Sequence, residues 1–229
     1  MAYHLIKGLI EHLTRKEEFF VIIVGLDNAG KTTLLEKIKT LYNKAPGLEP
    51  DKIGPTIGQN IGKIVLPSSI LQFWDLGGQR DIRNIWEKYY DECHAVVYVV
   101  DASDLERMSE GWEVFDTVLN SPRILGVPLL LLANKQDLPG SLSIENIRQN
   151  YEEWWQLRNS EEAHRLRTRR IERRMASLDV MGVSAIEGTG IREAVDWLFL
   201  RVQNARRSVR SHFVSPFRVD VGLISISQV

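Results

Sequence analysis

Gly25-Leu26-Asp27-Asn28-Ala29-Gly30-Lys31-Thr32 sets two glycines, a lysine and a hydroxyl in the spacing G-x-x-x-x-G-K-[ST]. A loop of this kind can cradle a polyphosphate. The glycines allow a tight turn that aims successive backbone N–H groups at phosphate oxygens. The candidate phosphate-binding positions are Gly25, Asp27, Asn28, Ala29, Gly30, Lys31, Thr32 and Thr33. Lys31 is long enough to reach the β- and γ-phosphates and stabilise developing charge, and the Thr32 hydroxyl is a candidate ligand for Mg²⁺.

A second run, Asn134-Lys135-Gln136-Asp137, carries a different selectivity. Guanine presents N1–H and an exocyclic amine side by side, and one carboxylate, Asp137, can accept both bonds. Adenine lacks that N1–H and would leave a buried charge poorly paired, so such a site rejects it. Asn134 is expected on the N7/O6 side and the Lys135 stem along the ring. Ser184-Ala185 completes the guanine-binding set, with the Ala185 N–H directed at O6. A third group senses the last phosphate. Asp75 is expected to hold Mg²⁺ directly or through water, the Gly78 N–H to meet the γ-phosphate, and Gln79 to orient an attacking water. Thr56, in the Gly- and Pro-rich stretch Asn43 to Gln59, is the candidate second hydroxyl ligand to the metal. Loops tied only to a γ-phosphate and its cation are ordered by it and released when it is lost.

These residues need a scaffold that brings strand ends together. Phe19 to Val24 is an apolar, β-branched run that reads as a buried parallel strand leading into the glycine loop. Lys31 to Tyr42 reads as a helix, with Leu34, Leu35, Ile38 and Leu41 at helical spacing. Further apolar runs, Ile70 to Trp74, Ala95 to Val100, Pro128 to Ala133 and Val180 to Val183, read as strands ending at the other motifs. Open α/β sheets bind ligands at that end.

With 229 residues, the chain holds one domain with a full core and little else. A net charge of −1 gives no electrostatic case for nucleic acid. The single cysteine, Cys93, allows no internal disulfide and is expected to be structural and at least partly buried. No apolar run approaches the ~20 residues that cross a bilayer, and no signal peptide is evident.

GLDNAGKTT, PTIGQN, WDLGGQ, Ile85 to Tyr90 and NKQD together resemble the Arf/Arf-like branch of small GTPases, from about Tyr3 to about Ala205. Asn60-Ile61-Gly62, Lys88 to His94 and Leu142-Ser143-Ile144 resemble the Arf-related subgroup of the trans-Golgi within it. The resemblance implies an α/β P-loop small GTPase fold, a six-stranded mostly parallel sheet flanked by helices, with an N-terminal amphipathic helix. It implies a strand pair, Ile61 to Leu66 and Ile70 to Asp75, whose register shifts with the nucleotide. It also implies slow GTP hydrolysis to GDP, a monomer, and dependence on an exchange factor, a GTPase-activating protein and effectors. Peripheral attachment moves such proteins between the cytoplasm and Golgi membranes in vesicle traffic. The effector surface would fall on Gln59, Trp74 and Tyr89. Gln59 stands where the branch usually carries a bulky apolar residue, and Arg80 where an acidic one is usual.

The expected organisation is an N-terminal amphipathic helix over 1–16, a GTPase domain over 17–205, and a disordered tail over 206–229. A charged helical insertion, rich in arginine, is expected at about 152–177, with Trp154 and Trp155 packing its helix onto the sheet. Tyr3, Ile6, Ile10 and Leu13 fall on one face of the first helix. Ala2 excludes myristoylation on glycine and the C-terminus lacks a cysteine box for prenylation, so a second attachment, to a protein, is expected; the resemblance implies that this is a Golgi membrane protein. No arginine finger is assignable in cis; Arg80 and Arg83 lie near Gln79. The leading expectation is a GTP-hydrolysing switch. The alternative is a constitutively GTP-bound adaptor with a structural nucleotide. A P-loop kinase using ATP is disfavoured by Asp137.

Overall fold

The computed structural model describes residues 16–43, 47–158 and 178–213, the last eight of these as backbone only. The expected N-terminal helix, most of the arginine-rich insertion and the end of the tail lie outside the described residues.

Six strands form one sheet: β1 (Glu17–Val24), β2 (Gln59–Val65), β3 (Ser69–Leu76), β4 (Ala95–Asp101), β5 (Leu129–Asn134) and β6 (Asp179–Gly182), in the order β2-β3-β1-β4-β5-β6. Only β2 runs antiparallel to its neighbour, pairing Gln59 with Leu76 and Val65 with Ile70. The other pairings are parallel. The interior strands are covered on both faces, which explains their unbroken apolar runs: Val21, Ile22, Ile23 and Val24 are all fully buried. β2 lies at the edge and alternates instead, with Ile64 inward and Ile61 and Val65 outward.

Helices lie on both faces. α1 (Lys31–Asn43) and the C-terminal helix α5 (Ile191–Phe213) cover one, through Leu34, Leu35 and Ile38 and through Ile191, Ala194, Val195, Leu198 and Val202. α2 (Glu87–Tyr90) is a single turn following a 3₁₀ segment, Arg80–Ile85. α3 (Met108–Asn120) and α4 (Ile144–Arg158) cover the other face with an aromatic cluster. In it, Tyr151 meets Trp112 and Phe115 edge-on at 5.2 and 5.3 Å between centroids.

Two details differ from expectation. α5 continues past Ala205 to Phe213, so the first part of the expected disordered tail is helix. No glycine or proline interrupts the run from Ile191 to Phe213, so nothing local stops it. Trp155 enters the core as expected, but Trp154 faces α3, donating to the Ser109 hydroxyl at 3.2 Å and stacking on Tyr151.

Candidate nucleotide-binding site

Strand order reverses at β1, which lies between β3 and β4. The crevice at such a reversal, outside the carboxyl ends of the strands, is where open α/β sheets hold ligands. The loop after β1 enters α1 here, and Asp75, Asp101 and Asn134 all sit at the ends of their strands. A cavity of about 320 Å³ opens at this end, lined by Asp27, Asn28, Gly30 to Thr33, the 50–56 segment, Gly78 and Gln79. A second cavity, about 370 Å³, lies at the opposite end of the sheet beside Pro128, Leu178 and Trp197. It contains none of the motif residues.

The glycine loop is held in place by the base-reading motif. Gly30 has φ +87°, and a Cβ there would lie 2.3 Å from Asn134 Nδ2. That amide donates to the Ala29 carbonyl at 2.8 Å, while Asn134 Oδ1 accepts the Ala185 N–H at 3.0 Å. The side chain therefore ties the phosphate loop to the loop after β6. The sequence reading aimed both Asn134 and the Ala185 N–H at guanine; here they are bonded to each other. Ser184 likewise supports the reader rather than facing the base: its hydroxyl donates to Asp137 Oδ1 at 2.6 Å and accepts the Glu187 N–H at 3.0 Å.

Lys135 adopts φ +66°, a left-handed conformation that a long side chain rarely takes. Its neighbourhood holds it there. Ser141 Oγ donates to its carbonyl at 2.6 Å, and its ammonium pairs with Asp101 Oδ2 at the same distance. Asp101 was absent from the sequence-derived set. Burial works against its charge, but the bonds from Lys135 and Ser103 prevail and hold its pKa below the ordinary value. Its sequence signal was its place as the first polar residue after the run Ala95 to Val100.

On the phosphate side, Lys31 is buried, and its Nζ donates to the Leu26 carbonyl at 2.7 Å. Burial lowers its pKa to about 8 against the pull of Asp75 and Asp27. Asp27 pairs its carboxylate with Arg107 at 2.7 Å. Thr32, Thr56 and Asp75 meet as expected. The two hydroxyl oxygens are 2.7 Å apart, and Asp75 Oδ2 accepts from Thr32 at 2.6 Å and from Thr56 at 3.4 Å. Asp75 is fully buried, and its Oδ1 has no hydrogen-bond partner. Burial raises its pKa despite bonds from Thr32 and the charge of Lys31. Two hydroxyls and a buried carboxylate with one unpartnered oxygen make an all-oxygen set of the kind a hard divalent cation takes, so the residues fit Mg²⁺.

Gln79 is exposed at the cavity wall, and its neighbour Arg80 is exposed outside the cavity lining. Arg83 is not free to act as a finger: it bonds the Gly78 carbonyl and Glu110. Gln59, Trp74 and Tyr89 come together. Tyr89 donates its hydroxyl to Gln59 Oε1 at 2.6 Å, and its ring lies 5.2 Å from that of Trp74.

A sheet of this order, with a G-x-x-x-x-G-K-[ST] loop after its first strand and the Asn134 to Asp137 run after its fifth, defines a small GTPase. The chain belongs to the ADP-ribosylation factor family, whose model matches residues 6–202. It is 40% identical to ADP-ribosylation factor-related protein 1 of Homo sapiens over 215 residues, 93% of this chain and 100% of that protein. It is 37% identical to ADP-ribosylation factor-like protein 3 of Saccharomyces cerevisiae over 210 residues, 90% of this chain and 96% of the other. Among solved structures, the Arl6 BBS3 small GTPase of Trypanosoma brucei with bound GppNp superposes with a TM-score of 0.63 at 25% identity, covering 82% of this chain and 99% of that one. Proteins of this family bind guanine nucleotide and hydrolyse GTP, and this chain is a GTP-binding switch of that kind.

Proposed function

We propose that the chain is a GTPase switch acting at Golgi membranes, where the GTP form recruits effectors for vesicle traffic. The observation that carries the switch is the meeting of Thr56, from the loop before β2, with Thr32 and Asp75 Oδ2, on a carboxylate whose other oxygen has no partner. A cation and third phosphate bound at this cluster would hold that loop closed. Thr32, Thr56 and Asp75 would hold Mg²⁺, which would neutralise phosphate charge when bound. Lys31 and the N–H groups of Gly30 to Thr33 grip the phosphates. Asp137, steadied by Ser184, reads guanine beside the Lys135 stem. Gln79 orients the water that attacks the terminal phosphorus in line with the leaving GDP oxygen; catalysis is placement and electrostatic stabilisation.

Turnover by the isolated chain is slow, because Arg83 is already bonded and no described arginine points to the phosphates. A GTPase-activating protein supplies the missing charge and an exchange factor reloads the site. Peripheral attachment rests on the N-terminal residues and a Golgi membrane protein. The stretches Asn60-Ile61-Gly62, Lys88 to His94 and Leu142-Ser143-Ile144, which resemble the Arf-related subgroup of the trans-Golgi, support the Golgi assignment.

Three measurements test this reading. Competition binding should favour GDP over ADP strongly; equal affinities would remove the guanine assignment. Single-turnover hydrolysis should be slow alone and faster with an activating protein. Gln79→Leu should leave the chain GTP-loaded and membrane-bound in cells; an unchanged nucleotide content and distribution would favour the adaptor with a structural nucleotide instead.

A further inference from the structure

Gly78 sits directly on the phosphate loop. A Cβ there would come within 2.4 Å of the Gly25 carbonyl oxygen and 2.5 Å of the Asp27 nitrogen. Two donors fix the peptides on either side of its α-carbon. The Trp86 indole N–H bonds the Gly77 carbonyl at 2.9 Å, and Arg83 Nε bonds the Gly78 carbonyl at 2.6 Å. A trans peptide is planar, with its N–H opposite its carbonyl. The first bond therefore aims the Gly78 N–H, and the second aims the Gln79 N–H and the base of that side chain.

Trp86 is fully enclosed, but Arg83 needs an anchor of its own. Its Nη2 pairs with Glu110 on α3 at 2.8 Å and approaches Asp27 at 3.7 Å. Glu110 also accepts from Arg107 Nε at 3.4 Å. Arg107 closes the circuit on the phosphate loop, with Nη2 on Asp27 Oδ1 at 2.7 Å and Nη1 on the Asp27 carbonyl at 3.3 Å. Four charges from three separate segments thus alternate in sign between the glycines after β3 and the loop after β1. Arg83 is mostly covered, at 13% side-chain exposure, while Glu110 is 39% exposed, so solvent screens the pair from the carboxylate side. The bond from Arg83 is the largest influence on Glu110 and keeps its pKa below the ordinary carboxylate value.

We propose that Arg83 and Glu110 are positioning residues that brace the Gly78–Gln79 peptide against the phosphate loop and so favour GTP over GDP. The proposal rests on the switch reading above. Its logic is differential: the braced peptides face the third phosphate, whereas the phosphate loop itself serves both nucleotides. Arg107 holds Asp27 whichever nucleotide is bound, so its loss should act on both.

The test compares dissociation of fluorescent GDP and of a fluorescent non-hydrolysable GTP analogue from the full chain. Glu110→Gln keeps shape and removes charge; Arg83→Ala removes the brace. Both should speed release of the GTP analogue about tenfold and change GDP release less than about twofold, the effect of one charge-assisted hydrogen bond. Arg83→Lys, which cannot bridge carbonyl and carboxylate with a fork, should fall between. Arg107→Ala should speed both. Equal acceleration of the two nucleotides by Glu110→Gln, or none of the GTP analogue, overturns the brace. Failure of the unaltered chain to bind either nucleotide would instead overturn the switch reading.

Discussion

Asn134 illustrates how much one side chain does in this site. It was read as a base contact, yet its amide bonds Ala29 and its oxygen bonds the Ala185 N–H, joining motifs far apart in sequence. Lys135 is held as firmly by Asp101, in a pair whose carboxylate is only 12% exposed. Asp101→Asn should therefore weaken GDP binding about tenfold, by loss of one charge-assisted bond, while leaving the melting temperature little changed. Isothermal titration would measure it. Cys93 makes a separate prediction. Burial pushes its thiol from an ordinary 9.0 up to about 12, with the charge of Asp91 adding and its own backbone N–H opposing. At pH 8 it should react with a maleimide only when the chain unfolds. Between pH 9 and 12 the unfolded thiol ionises and the folded one does not, so this group erodes stability as pH rises through that window. Denaturation curves of the chain and of Cys93→Ala across that range would show the difference.

At the scale of elements, the sheet and its two helical layers place the chemistry at one end because every parallel strand ends there. α1 has two tasks. Its first turn carries Lys31 and Thr32 to the cavity, and its later turns bury Leu34, Leu35 and Ile38 under the sheet. Burying each such side chain is worth roughly 1.5–3 kcal/mol. Leu35→Ala should cost about 2–5 kcal/mol of stability, the range for a buried leucine truncated in a packed core. Chemical denaturation would record it as a lower midpoint. β2 is an edge strand whose one strand partner is β3, with Ile61 and Val65 outward. Its outward face joins Gln59, whose oxygen takes the Tyr89 hydroxyl, so the surface beside Trp74 is more polar than an apolar residue would make it. α5 extends beyond the sheet, where helix propensity without a breaker carries it to Phe213.

Across the whole molecule, loops distant in sequence meet around the cavity. Gly77 bonds the Gly58 carbonyl at 3.0 Å, Thr56 meets Asp75, and the Arg83 circuit reaches α3. A cation at Thr32, Thr56 and Asp75 would add to the same closure, so chelating Mg²⁺ with EDTA should speed nucleotide release about tenfold or more. Fluorescent GDP dissociation with and without chelator measures this, and an unchanged rate would count against the metal site. No described helix is long and apolar enough to cross a membrane, and the N-terminal residues proposed for attachment lie outside those described. From the chain alone, the α/β class, the strand ends and the positions of Lys31, Thr32, Asp75, Gln79, Asn134 and Asp137 were legible, because phosphate cradling and guanine reading demand particular residues at fixed local spacing. Tertiary structure alone decided that Asp27 faces Arg107, that Ser184 serves Asp137, that Asp101 holds Lys135 and that Arg83 braces Gly78. Those pairings join residues distant in sequence, and ordinary charged and hydroxyl side chains carry no local pattern that names their partners before the chain has folded.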